Sequence, residues 1–207
     1  MSTAEIPEPA QPRRRLSRED RQRQLLDMAW QLIREEGTDA LTLGYLAEKA
    51  GVTKPVVYDH FTTRAGLLAA LYQDFDRRQT ALMDAALANA EATLNGIATV
   101  IATAYVDCVL SQGNEIPGVI AALASTPELE RIKREYEAIF LEKCRNVLSP
   151  FADGAEIGQP GLRAMLGAAE ALSQAAATDE ISAAQARDEL LATIIAMVER
   201  AAAQAGD

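Results

Sequence analysis

Histidine occurs once in this 207-residue chain, at position 60, and cysteine twice, at positions 108 and 144. No CxxC or Cys/His spacing exists, so neither a zinc site nor a disulfide framework can be assembled. Cys108 and Cys144 read as free, buried or half-buried thiols of a reducing cytosol. A single histidine with no nucleophile pattern around it leaves no parts for a Ser/His/Asp triad. Gly154, Gly158 and Gly161 fall in a loop that no strand precedes, which is no phosphate-binding fingerprint. The expectation is a protein that is not an enzyme and that holds no metal and no cofactor. Aromatic residues are only 5%. The start, MSTAEIPEPAQPRRRL, lacks the apolar stretch of a signal peptide, and no run of about 18 uninterrupted apolar residues follows it. A cytoplasmic protein with no membrane partner is expected.

Hydrophobic residues make up 49% of the chain, enough for a real core, and alanine is abundant, above all after residue 80. Alanine favours helix and disfavours strand, so the fold class expected is all-α. Net charge is −10, but it is unevenly spread. Residues 1–80 hold 12 basic and 12 acidic side chains; residues 81–207 hold 8 and 18. Within 11–25, Arg13, Arg14, Arg15, Arg18, Arg21 and Arg23 face only Glu19 and Asp20. A basic arm on a neutral first part, followed by an acidic second part, suits a protein that touches phosphate at one end. A disordered solubilising tail would have the same composition.

About nine helices are predicted. Residues 1–16, with three prolines, read as a basic tail. Ser17 with Asp20 resembles a capping box, and Leu25, Ala29, Leu32 and Ile33 then recur on one helical face, widened by Leu26 and Trp30. Gly37 is expected to stop this helix in the left-handed conformation. Thr42 caps a short helix over 43–50 ended by Gly51, and Thr53 caps another over 54–61 with Pro55 in its first turn. A longer helix follows Thr62-Thr63 to about residue 90. Further helices run from near Gly96 to Gly113, from Pro117 to near Thr126, and from Pro127 to about Val147. Residues 149–161 read as a loop, and two last helices cover about 162–177 and, after the cap Ser182, about 183–203.

The segment 42–61, TLGYLAEKAGVTKPVVYDHF, carries the strongest functional signal. Two eight-residue helices joined by three residues pack only if their contacts are small or apolar. Ala47 lets the second helix cross, Gly51 makes the turn, and Val57 fills the shared core: the spacing of a helix-turn-helix. In the second helix Val57 and Phe61 point inward, leaving Lys54, Pro55, Val56, Tyr58, Asp59 and His60 outside. Such a face is poorly explained as packing surface and fits a major groove.

These residues resemble the N-terminal DNA-binding domain of TetR-family transcriptional regulators. The likeness covers residues 18–80 and runs through Gly37, Ala40-Leu41-Thr42, Leu46-Ala47, Ala50-Gly51-Val52-Thr53-Lys54, Val57-Tyr58-Asp59-His60-Phe61 and Arg64 with Leu67-Leu68. It implies an all-α homodimer whose third helix enters the major groove and whose C-terminal helices form a ligand pocket and a dimer seam. The domains are then 17–80 for DNA binding and 81–207 for effector binding and dimerisation. Thr42 and Thr53 would contact phosphates, and Lys54, Pro55 and Val56 would face base edges. Tyr58 and His60 would touch the backbone, and Arg64 would hold a phosphate from the other side. Asp59 departs from the family's usual aromatic or histidine. It would accept from a cytosine or sit aside, paired to a cation.

For an effector cavity the candidates are Ile101, Tyr105, Cys108, Val109, Ile120, Tyr136, Ile139, Phe140 and Leu166, a stripe that plain core would also explain. For a dimer seam they are Ala168, Ala169, Leu172, Ala175 and Ala176 on one helix, and Leu190, Leu191, Ile194, Ile195 and Val198 on the next. A monomer that buries them internally is the alternative; the resemblance favours the dimer. The expected partners are a near-palindromic double-stranded DNA operator, a second copy of the chain, and a small hydrophobic or amphipathic effector that releases a repressor. The competing readings are a regulator with no effector and a helical enzyme or scaffold that uses 42–61 only for packing.

Overall fold

The structure, a computed structural model, describes residues 16–111, 115–123 and 127–205; the expected tail over 1–15, with Arg13, Arg14 and Arg15, and the stops at Gly113 and Thr126 lie outside them. Among the described residues there are nine α-helices and no strand. They are α1 (Arg18–Glu36), α2 (Leu43–Lys49), α3 (Lys54–Phe61), α4 (Arg64–Ala88), α5 (Leu94–Ser111), α6 (Glu115–Leu123), α7 (Pro127–Leu148), α8 (Gln159–Ala177) and α9 (Ala183–Ala205). The chain is all-α, as its alanine content implies.

Local signals explain most boundaries. Ser17 accepts from the Asp20 amide at 3.0 Å, but the Asp20 carboxylate takes the Ser17 hydroxyl at 2.7 Å instead of its amide, so only half of the capping box forms. Thr63 and Ser182 cap α4 and α9 through the amides of Gly66 (3.0 Å) and Gln185 (3.2 Å). Gly37 does have a positive φ of 82°, but with ψ at 166° it leaves α1 extended, not left-handed helical. A 3-10 turn, Thr38–Ala40, follows at once. The loop expected over 149–161 is shorter: Ser149–Phe151 forms a 3-10 turn and α8 starts at Gln159. Pro160 falls in the first turn of α8, where its missing N–H leaves nothing unsatisfied.

Two apolar cores form. The first joins α1 to the first half of α4 and holds Leu25, Trp30, Leu46, Ala47, Val57 and Phe61, all buried; Val119 of α6 is buried in it too. Trp30 donates from Nε1 to Asp74 of α4 at 3.3 Å, and that buried carboxylate also pairs with Arg77 and Arg78, each at 2.5 Å. The second core packs α5, α8 and α9 against one another, with the start of α4's second half and α7 alongside. α5 has the length and hydropathy of a membrane-crossing helix. Here Ala98, Ile101, Ala102 and Val106 are buried in the bundle, and Asp107 pairs with Arg187 of α9 at 2.6 Å.

The tight link between α3 and α4 depends on Gly66. A Cβ there would lie 2.2 Å from the carbonyl oxygen of Phe61, so no other residue fits without moving backbone. The strain is taken by Thr62, which has φ 59°.

Candidate functional site

α2 and α3 present one exposed face. The turn between them is closed by Gly51, whose φ of 64° suits glycine, and by Val52, whose amide donates to Ala47 at 3.0 Å. Val57 and Phe61 anchor α3 in the first core, both buried. Opposite them Thr53, Lys54, Pro55 and Asp59 are exposed, Tyr58 is 51% exposed, and Val56 and His60 are half-buried. So the eight positions of α3 divide as the 3.6-residue period requires, and Tyr58 stands in solvent with no core to serve.

The N-terminus of α3 is open. Thr53 has the extended backbone of an N-cap but its side chain does not cap the helix, contrary to expectation. Thr53 is exposed; in the first turn Pro55 carries no N–H and the Val56 amide donates to the Thr53 carbonyl at 3.0 Å, so the Lys54 amide is the one left there for an anionic oxygen. Thr42, also exposed, does cap α2 by accepting from the Tyr45 amide at 3.1 Å, which leaves its O–H able to donate. The Lys54 ammonium reaches back over α2: Nζ would lie 3.9 Å from a Cβ at Gly44, so the missing side chain there leaves the lysine its path.

Asp59 is paired, not bare. Arg18 of α1 donates to its carboxylate at 3.0 Å and to its backbone carbonyl at 3.2 Å, with both side chains 68% exposed. In the chain by itself Asp59 is thus paired to a cation. His60 lies in the same cluster. Burial, then the Arg18 guanidinium, lowers its pKa from the ordinary 6.5, and its Nδ1 is buried without a partner.

Arg64 departs from the phosphate-holding role. It is half-buried, and Nε and Nη2 donate to the carbonyls of Leu41 (2.9 Å) and Thr38 (2.8 Å). It therefore ties the start of α4 to the turn before α2. The planar guanidinium fits two diverging carbonyls, and sequence spacing carries no sign of that.

A cavity of about 150 Å³, partly open to solvent, lies between α4, α5, α6, α7 and α8. Tyr105, Cys108, Val109, Ile120, Tyr136, Phe140 and Leu166 line it, as expected. Ile101 does not: it is buried in the second core, packed against the bundle. Ile139 does not either, being 57% exposed on the outer side of α7, one helical position from the inward Phe140. Sequence reasoning missed the α4 wall, Tyr72, Phe75, Asp76, Gln79, Thr80 and Met83, and the charged Lys133, Glu137 and Glu170. The i, i+3, i+4, i+7 run of Tyr72, Phe75, Asp76 and Gln79 is the signal that places them on one face of α4.

Of the residues expected in a dimer seam, Ala169, Ala176, Ile194 and Val198 are buried in the chain's own second core, with Leu190, and cannot meet another molecule. Ala168, Leu172, Leu191 and Ile195 are half-buried at the margin of that core, packed against it, and Ala175 is half-buried. Both helices are apolar on more than one side, and the period alone does not say which side the core takes.

Residues 25–71 match the family described as bacterial regulatory proteins, tetR family. A 59-residue stretch is 39% identical to the HTH-type transcriptional activator FasR of Mycolicibacterium smegmatis; it covers 28% of this chain and 27% of that protein. Thus the match spans little more than a quarter of that relative's length. Among solved structures, a TetR-family transcriptional regulator from Rhodococcus sp. aligns with a TM-score of 0.71 at 21% identity, over 87% of this chain and 100% of that one. The fatty acid degradation regulator FadR of Bacillus halodurans aligns with a TM-score of 0.67 at 14% identity, over 84% and 94% of the two chains. At these identities the likeness is one of fold.

Proposed function

The chain is a TetR-family regulatory protein, and on that premise we propose that it binds a near-palindromic operator as a homodimer and represses transcription until a small effector releases it. The observation that carries this reading is the outward face of α3. Lys54, Pro55 and Tyr58 stand in solvent while Val57 and Phe61 hold the helix down. Lys54 donates to guanine edges, Pro55 and Val56 meet thymine methyls, and Thr42, Thr53, Tyr58 and His60 serve the phosphates. Two copies related by a two-fold axis read half-sites about one helical turn (~34 Å) apart. The remaining half-buried residues of α8 and α9, Ala168, Leu172, Ala175, Leu191 and Ile195, suit a seam of four helices.

Release works through shared elements. α4 begins at Arg64, inside the first core, and its second half walls the cavity. α6 puts Val119 into the first core and Ile120 against the cavity. A ligand that favours a different setting of α4 or α6 therefore alters the distance between the two α3 helices, and a tenfold loss of affinity needs only about 1.4 kcal/mol of coupling. Repression needs no more than occupancy of a promoter. The relative named an activator makes activation the alternative, and a promoter-reporter assay with the gene deleted distinguishes them by the sign of the change.

The test is a salt titration on duplexes selected from a random pool. The reading expects two protomers per duplex and log K falling steeply and linearly with log salt. A chain that retains no duplex, or whose binding ignores salt, has another function.

A further inference from the structure

Resting on the effector-responsive reading above, we propose that the cavity takes an organic cation, an ammonium carried on a small aromatic or aliphatic body, with its charge against Asp76.

The walls supply the body's site. Tyr72 and Tyr136 meet edge to face with centroids 5.4 Å apart, and Tyr105 and Phe140 are tilted by 53° at 5.6 Å, so aromatic rings border a space of about 150 Å³. A cavity of that size accommodates a single benzene-sized ring. Aromatic faces attract cations, the more so when water is excluded.

The charges decide the sign. Among the described residues, four carboxylate or ammonium side chains line the cavity: Asp76, Glu137, Glu170 and Lys133. Lys133 is already matched, at 2.7 Å to Glu137 and 3.4 Å to Glu170, and Arg163 adds a second cation to Glu137 at 2.9 Å. Asp76 has no hydrogen bond or ion pair among the described residues. The cation nearest to it in effect, Lys143, is engaged with Asp84 at 2.6 Å. Burial accordingly pushes the Asp76 carboxyl above the ordinary carboxylate range. The neighbouring Cys108 thiol is pushed up to about 12 by burial first and Asp76 second, so it is a neutral wall. An anionic ligand would meet a net negative lining whose only ammonium is taken. A neutral one could donate at most a hydrogen bond to Asp76 and would leave its charge without a counterion. A cation relieves the one unmatched charge in the cavity. Because Asp76 is on α4, the relief is felt on the helix that leads to the DNA-binding half.

Full-length protein is titrated calorimetrically with three probes of one shape: phenethylammonium, phenylethanol and phenylacetate. The cation should bind at least about tenfold more tightly than the others, a difference of about 1.4 kcal/mol. Asp76→Asn should abolish that preference while unfolding at the same or a higher temperature and keeping operator affinity. The proposal is overturned if phenylacetate or phenylethanol binds as well as the cation, if Asp76→Asn keeps the preference, or if no probe binds up to about 10 mM. Operator release is read separately. A cation that binds at Asp76 and leaves operator affinity unchanged contradicts the effector reading and leaves the site standing.

Discussion

Replacing Arg64 by Gln separates two roles that make opposite demands. As a staple, the guanidinium holds the carbonyls of Leu41 and Thr38 at 2.9 and 2.8 Å. Hydrogen bonds to a charged group contribute about 1.5–3 kcal/mol each when shielded, and half-exposure puts the two together near the lower end, about 2 kcal/mol. For a protein of this length 1 kcal/mol moves Tm by about 2–4 °C, so Arg64→Gln should melt about 4–8 °C lower. Its salt slope on the operator should match the wild type, because no phosphate contact is lost. Scanning calorimetry and binding isotherms at several salt concentrations supply both numbers. An unchanged Tm with a slope reduced by about one would refute the staple and restore the phosphate role.

Other perturbations probe the joints of the fold. A Cβ at Gly118 would approach the Thr38 hydroxyl oxygen to 2.5 Å. Gly118→Ala should therefore unseat α6 from the first core and weaken operator binding with no DNA-facing residue altered; Thr38→Ala should restore it, and strict additivity in that double-mutant cycle would show that α6 does not communicate there. Asp74→Ala removes the buried carboxylate shared by Trp30, Arg77 and Arg78. A loss of about 2–3 kcal/mol in urea unfolding is expected, since both arginines are well exposed; a change within 0.5 kcal/mol, the ordinary scatter of about that size at surface sites, would deny the network its role. His60 has a pKa lowered below 6.5 in the free protein, and a phosphate beside it raises that value. The complex then binds more protons than the free protein, so operator affinity should rise as pH falls through the bound-state pKa and level off below the free one. His60→Gln should flatten that rise, and a rise that persists would assign it to another group.

The DNA-binding half was largely legible in the sequence, because local rules govern it. Caps at Ser17 and Thr42, a turn glycine at Gly51 and a period that hides Val57 and Phe61 are all contacts within a few residues, although the cap expected at Thr53 does not form. Arg64 and Asp59 were not legible, because their partners lie 23, 26 and 41 residues away and spacing says nothing of such pairs. In the second half, seven of the nine residues expected in the cavity line it, while its α4 wall was not foreseen. Ile139 and Phe140 show why the rest did not: adjacent apolar residues point about 100° apart on a helix, and only tertiary packing tells which faces in. The same ambiguity put Ala169, Ala176, Ile194 and Val198 in a seam when they belong to the core.

The outward face of α3 is tested most directly by Lys54→Ala and Tyr58→Ala, compared with the wild type on its selected duplex. Neither side chain belongs to the core, so both variants should melt like the parent protein. Lys54→Ala should weaken binding by about 1–3 kcal/mol and relax sequence preference at one base pair of each half-site, while Tyr58→Ala should weaken it on all sequences alike. Wild-type affinity in both variants would mean that this surface does not touch DNA.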